Sequence, residues 1–372
     1  MAPISQRAWV IQERFLSPRV LHFTSDQMFW ECSNKYACET FPKGMPEIYG
    51  HAFQPYMLLE EKQRIENLSI LDNRRVWGRI CEDYSTGRLT FTSDKLIAFS
   101  GMAKDFHSRR SSDTYLAGIW KSDFVQSLLW SVQALDGRPI QPNGSREKFP
   151  DPCITASLPS SYRAPSWSWL SKDCSIRCPK LRNKSSAIIE ILDAHVDLMD
   201  EKDPTGDMRG GFFTARGYLR EASWIRQGKF DMIVFDGKYG DYLHDMPPNF
   251  PSAPTSSFLM QRDVGDEFPT KTIFCLPIRH GYYVRTALKD VEVIDGLILE
   301  KIDKDNQYKR IGYFEMAGTS FRRAMTWRLL PPAQDLEYPW HGLHVDDGVP
   351  ADMRPEREGF YEEIQISKFK VV

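Results

Sequence analysis

The sequence contains no apolar run approaching the roughly 20 residues that a bilayer-crossing helix needs. FVQSLLWSV, residues 124–132, is among the longest and falls well short. No membrane span is expected. The N-terminus also lacks the basic start, apolar middle and small-residue cleavage site of a secretory signal, so a cytoplasmic protein is expected. Neither sign of charge is in excess. Lys plus Arg number 48 against 50 for Asp plus Glu, a formal charge of −2, which excludes the basic surplus of a nucleic-acid binder. Cysteine is sparse and odd in number: seven residues, Cys32, Cys38, Cys81, Cys153, Cys174, Cys178 and Cys275, are spread irregularly. That argues against a disulfide framework and for reduced thiols.

Several chemical signatures are missing as well. Cys174 and Cys178 stand four apart, but no second pair or nearby histidine completes a zinc set, and His341, His344 and Asp346 in HGLHVD have a loop-like spacing without a fourth ligand. No metal is expected. There is no G-x-G-x-x-G, no phosphate-binding loop, and no nucleophile elbow or partnered histidine beside a Ser or Cys. No cofactor is expected on these grounds.

What the chain does have is aromatic bulk. Its 372 residues are 41% apolar and include ten Trp, 15 Tyr and 22 Phe. Such a chain can bury one large core or two moderate ones. RAWVIQERFL reads as a helix ending just before Pro18, and VLHFTSDQMFWEC as a short hairpin around a Ser-Asp turn. From about residue 54 to 135 the spacing is helical: YMLLEEKQRIENL, RVWGRICEDYS, SDKLIAFSGMAKDF with Ser93 as N-cap, and YLAGIWKSDFVQSLLWSVQAL. In the last of these Leu116, Ile119, Trp120, Phe124, Leu128 and Trp130 should face a core.

The Pro- and Gly-rich DGRPIQPNGSREKFPDP, residues 136–152, marks a boundary, and PPNFPSAPTSS a long loop. Beyond the boundary, SAIIEILDAHVDL, GGFFTARGYLREA, FDMIVFDG, KTIFCLPI, VEVIDGLILEKI and YKRIGYFEM read as strands. The expected fold is α+β. A mainly helical region, residues 1–150, packs on a β-rich region, residues 151–372, that forms a sandwich or partial barrel.

Read in order, RAWVIQERFLSPRVLHF, TSDKLIAFSGMA, YLAGIW, SYRAPSWSWLS and the later GLILEK and YKRIGYF resemble the fungal heterokaryon incompatibility (HET) family. The resemblance runs from residue 7 to about 171, with a tail beyond, and implies that only the last part of the domain is present. It also implies a role in the cell death that follows fusion of incompatible hyphae. Trp9 and Glu13 resemble the Trp-x3-Glu spacing of TIR-type NAD hydrolases, to which HET domains have been likened, so Glu13 is a candidate catalytic carboxylate. The alternative is Trp9 in the core and Glu13 as a partner of an arginine.

The block SYRAPSWSWLS is the second focus. In an extended conformation Trp167 and Trp169 point to one face, either sealing the junction of the two regions or walling an apolar pocket. Tyr162 and Arg163 beside them can donate hydrogen bonds. HET-like proteins occur among fungal natural-product genes, including as a Diels–Alder cyclase of the sordarin class. The resemblance therefore also implies a cofactor-independent cyclase acting on an apolar terpenoid. It would need only a close-fitting cavity and a donor to an activating carbonyl. For that reading Trp9, Trp120, Trp130, Trp167 and Trp169 are the candidate walls and Arg163 or Tyr162 the donor. The competing expectation is an allorecognition protein acting through a protein partner that covers the N-terminal surface.

Overall fold

In the computed structural model, which describes residues 7–32, 35–46, 70–108, 112–133, 157–179, 183–227, 230–235, 257–263, 272–285, 288–302, 305–317 and 366–372, helix α1 spans Ala8–Leu16. It stops because Ser17, the residue before Pro18, is extended. The Ser17 N–H and hydroxyl both donate to the Glu13 carbonyl, at 3.0 and 2.7 Å, satisfying the last turn. The hairpin follows. β1 (Arg19–Phe23), β2 (Met28–Cys32) and β3 (Lys35–Cys38) form a three-stranded antiparallel sheet. Buried Glu31 on β2 takes both Arg14 Nε and Nη2 at 2.8 Å and lies 2.9 Å from His22 Nε2, which ties the sheet to α1.

Helix α2 (Ile70–Ser85) buries Val76, Trp77, Ile80, Cys81 and Tyr84, one stripe at helical spacing. Helix α3 (Lys95–Ser108) buries Leu96, Phe99, Met102 and Phe106 and packs on α1. Ser93 is not its cap. It lies within a 3₁₀ turn, Thr92–Asp94, and its hydroxyl donates to Asp94.

The stretch after α3 corrects the sequence reading. Instead of a long helix, β4 (Tyr115–Leu116) and β5 (Ile119–Trp120) form a hairpin, followed by a short α4 (Phe124–Ser127) and β6 (Ser131–Val132), which pairs with β7 (Ile176–Arg177). The cause is the Ala117–Gly118 turn, with φ +47° and +88°. Two positive-φ residues close a two-residue hairpin and cannot continue a helix. The apolar side chains named above are all buried, but by a folded-back route.

The remaining strands, β8 (Asn183–Ala187), β9 (Glu190–Leu198), β10 (Met208–Tyr218), β11 (Arg220–Gln227), β12 (Phe230–Phe235), β13 (Ser257–Arg262), β14 (Thr272–Arg285), β15 (Leu288–Lys301), β16 (Gln307–Ala317) and β17 (Ile366–Val371), form one ten-stranded sheet. Only Leu219 separates β10 from β11. The pairing path from β10 through β17, β16, β15 and β14 therefore returns to the same bent strand at β11, and the sheet closes on itself. Opposed pairs such as Phe213 with Val371, Ala215 with Phe369 and Leu276 with Leu297 line the face that joins the core of the helices.

The expected α+β fold with a mainly helical N-terminal half is thus overturned, while the C-terminal region is β-rich. Among the described residues strands exceed helices, and the N-terminal half itself holds hairpins and small sheets. YMLLEEKQRIENL, the 136–152 segment, most of PPNFPSAPTSS and the HGLHVD histidines lie outside the described residues.

Candidate functional site

The block around SYRAPSWSWLS gathers most of the sequence candidates, and the β4–β5 turn organises it. Ser168 donates to the Ala117 carbonyl at 2.6 Å and accepts from the Leu170 N–H at 3.1 Å, which starts a 3₁₀ turn at Trp169–Ser171. The Gly118 carbonyl accepts two indoles, Trp77 Nε1 at 3.0 Å and Trp169 Nε1 at 3.2 Å. A Cβ on Gly118 would sit 2.6 Å from that Trp169 nitrogen, so the turn leaves no room for a side chain there.

Because the block turns instead of running extended, its two tryptophans part. Trp169 packs edge-on to Phe99 and Tyr84, with ring centroids 5.0 and 6.3 Å away. Trp167 meets Phe124 and Phe213 at 5.3 and 6.3 Å. Trp120 lies among Trp77, Phe106 and Tyr115, and Trp130 donates its Nε1 to the Trp167 carbonyl at 2.9 Å. All four rings are buried and fill the core against one another and the sheet. Among the described residues, the Trp167 Nε1 has no acceptor.

The proposed donors fare differently. Arg163 is buried, and its guanidinium donates to the Leu170 carbonyl at 2.7 Å, the Thr92 carbonyl at 2.9 Å and Asp173 Oδ1 at 2.6 Å. It staples the block to the turn before α3. Tyr162 is 55% exposed on the surface, and its hydroxyl is pushed up to about 12 by partial burial and the nearby Asp197 carboxylate. Trp9 packs partly buried against the core, whereas Glu13, one turn on, faces solvent. Among the described residues, Arg14 on this helix pairs with Glu31, and no arginine pairs with Glu13.

Three charged groups escaped the sequence reading. Lys95, buried at the start of α3, donates to the Lys172 carbonyl and lies 5.4 Å from the centroid of the Trp169 ring; burial pushes its ammonium down to about 8. Arg310 on β16 is fully buried and donates to Asp263 Oδ2 at 2.8 Å and to the Leu128 and Trp130 carbonyls at 2.6 Å. Its guanidinium carbon lies 3.5 Å from the centroid of the Trp130 ring. Arg279 meets Asp295 Oδ2 at 2.6 and 2.8 Å and reaches Gln126 on α4 at 2.9 Å, while Tyr313 donates to the other Asp295 oxygen at 2.7 Å. Each of these charges stands in a run that reads as an alternating strand or a helix start, where a charged side chain is expected to face water.

An open surface groove of about 620 Å³ lies elsewhere, between the end of α3 and the β9–β10 connection, lined by Lys104, His107, Ser108, Asp200, Lys202, Asp203 and Pro204. Lys104 and Asp203 bridge it at 2.9 Å. Among the described residues no cluster of His, Cys, Asp or Glu is arranged to hold a metal.

No family model, curated protein or solved structure matches this chain.

Among the described residues, an exposed apolar face lies on the N-terminal sheet. Leu21 opposes Trp30 and Phe23 opposes Met28, so all four side chains share one face. They are 48%, 37%, 73% and 38% exposed. Among the described residues no helix is long and apolar enough to cross a membrane.

Proposed function

We propose that this chain is a HET-like protein that acts by binding another protein, in the manner of an allorecognition or cell-death component, in the cytoplasm. The observation that carries the reading is the contiguous apolar face of Leu21, Phe23, Met28 and Trp30, held on a sheet that the Arg14–Glu31 pair fixes to the body. Single exposed apolar residues are ordinary on protein surfaces, but four on one strand-pair face form a patch of the kind that marks interaction sites. The buried tryptophans support the same reading, because they serve the scaffold and leave recognition to the surface.

The test is Phe23→Asp in a fungal host. Expression of the unaltered chain should arrest growth and co-purify with a discrete partner, and the variant should lose both while keeping its melting temperature within about 2 °C, as surface substitutions do. Retention of the partner by a folded variant would remove the face from the argument.

The cyclase is the second reading, and one observation favours it: the Trp167 indole N–H, buried and without an acceptor among the described residues, is a donor available to a substrate carbonyl if the surrounding rings open around a ligand. Against it, Arg163 is engaged by three acceptors and Tyr162 stands outside the core. A cyclopentadiene-bearing terpenoid incubated with the protein would separate the two readings. Cyclisation above the uncatalysed rate, with an altered product ratio, supports the cyclase. The NAD hydrolase has less behind it, since Glu13 faces solvent and its companion Trp9 packs on the core.

A further inference from the structure

Helix α2 and the segment at β7 run side by side, and their contacts set Cys178 against one face of the helix. Ser85 Oγ accepts from the Ile176 N–H at 2.9 Å, and Glu82 Oε1 accepts from the Cys178 N–H at 2.7 Å. One turn earlier, Gly78 makes the close approach possible. A Cβ there would stand 3.1 Å from Cys178 Cβ and 3.5 Å from its Sγ. Positions 78, 81 and 82 share a helix face, so the sulfur of Cys178 lies beside that of Cys81. The Cys81 thiol is held protonated, its pKa raised well above the ordinary value by burial first and then by its contact with the Cys178 thiol. Cys81 is buried and Cys178 half-buried, so an oxidant in solution meets Cys178 first.

We propose that Cys81 and Cys178 form a reversible disulfide, a peroxide-responsive modification site that staples α2 to the segment leaving the Trp block. The Cys178 thiolate attacks one oxygen of hydrogen peroxide and breaks the O–O bond, giving a sulfenic acid and, with the thiol's proton, water. Cys81 then attacks the Cys178 sulfur through its own sulfur and releases its proton, and the sulfenic hydroxyl leaves as a second water. Two thiols are oxidised by two electrons and one peroxide is reduced to two waters. The bond closes a loop of roughly 100 residues, and the restriction that a crosslink places on the unfolded chain grows with the logarithm of that length.

The full chain is reduced, treated with hydrogen peroxide, blocked with iodoacetamide and digested with trypsin. The expected product joins the peptide of residues 80–88 to that of residues 178–180, and thiol reductant separates them. The melting temperature should rise by about 5 °C on oxidation and return on reduction. Cys174→Ser should keep both results, because residue 174 falls in a different peptide. Cys178→Ser should lose both, and peptide mapping of the unaltered protein is decisive even if that variant folds poorly. A Cys174–Cys178 link, or Cys81 still fully alkylated once the oxidised protein is unfolded, would overturn the assignment.

Discussion

Lys95 has the sharpest consequence for stability. Burial lowers its folded pKa to about 8 from the ordinary 10.5. Below pH 8 the folded protein carries a buried ammonium. Between about 8 and 10.5 it has released a proton that the unfolded chain still holds, so the unfolded state binds more protons and stability rises with pH through this window. The thiols act in the opposite sense. Burial, the largest cause, pushes Cys174 up to about 11 from 9.0, so above pH 9 the folded chain keeps a proton that the unfolded chain loses, and stability falls. Comparison with Lys95→Met isolates the lysine. In urea titrations from pH 7 to 10 the stability of the unaltered protein relative to the variant should grow by about 2 kcal/mol, and parallel curves would refute the assignment. The sequence alone hid this group, because a lysine in SDKLIAF at the start of a helix reads as solvent-facing.

At the level of elements, the β4–β5 turn matters most, since one carbonyl receives two indoles and its neighbour receives Ser168. Gly118→Ala forces a side chain into a positive-φ position 2.6 Å from Trp169 Nε1. The expected loss is about 2–4 kcal/mol, seen as a lower melting temperature and a red shift of Trp fluorescence. Gly210→Ala is the control. A Cβ at that strand position meets nothing nearer than Asp197 Cβ at 4.0 Å, so its effect should stay within about 0.5 kcal/mol. Equal losses at both positions would mean that the turn does not organise the block. Helices α1 and α2 and the first hairpin were legible in advance because each repeats a local period. The YLAGIW turn was not, because Leu116, Ile119 and Trp120 also fit a helical period and the sign of φ at Ala117 and Gly118 is invisible in a spacing count.

At the scale of the whole molecule, buried charge joins the sheet to the rest. Arg310 reaches from β16 to the Leu128 and Trp130 carbonyls, and Asp263, next to β13, neutralises it. Asp263→Ala leaves that guanidinium buried without its counter-charge and should cost about 3–5 kcal/mol in chemical denaturation. The double variant Asp263→Leu with Arg310→Met should recover a large part of the loss, because removing both charges removes the desolvation penalty as well as the attraction. If the double variant were as unstable as the single, the carbonyl contacts of Arg310 would be the dominant tie instead of the ion pair.

By itself the sequence determined what depends on neighbours along the chain. These features are the stop of α1 before Pro18, the hairpin from Arg19 to Cys32, the amphipathic stripe of α2 and the position of most strands of the large sheet. It also determined that the apolar run from Leu116 to Trp130, Trp120 and Trp130 included, would be buried, since that follows from transfer free energy. Only the tertiary structure decided how they are buried. The return of the sheet onto β11 depends on pairings between strands far apart in sequence, the parting of Trp167 and Trp169 on a turn held by Ala117 and Gly118, and the enclosure of Arg163, Lys95 and Arg310 on acceptors many residues away. Such contacts leave no local period to read, because loop closure and desolvation are settled between segments and not within them.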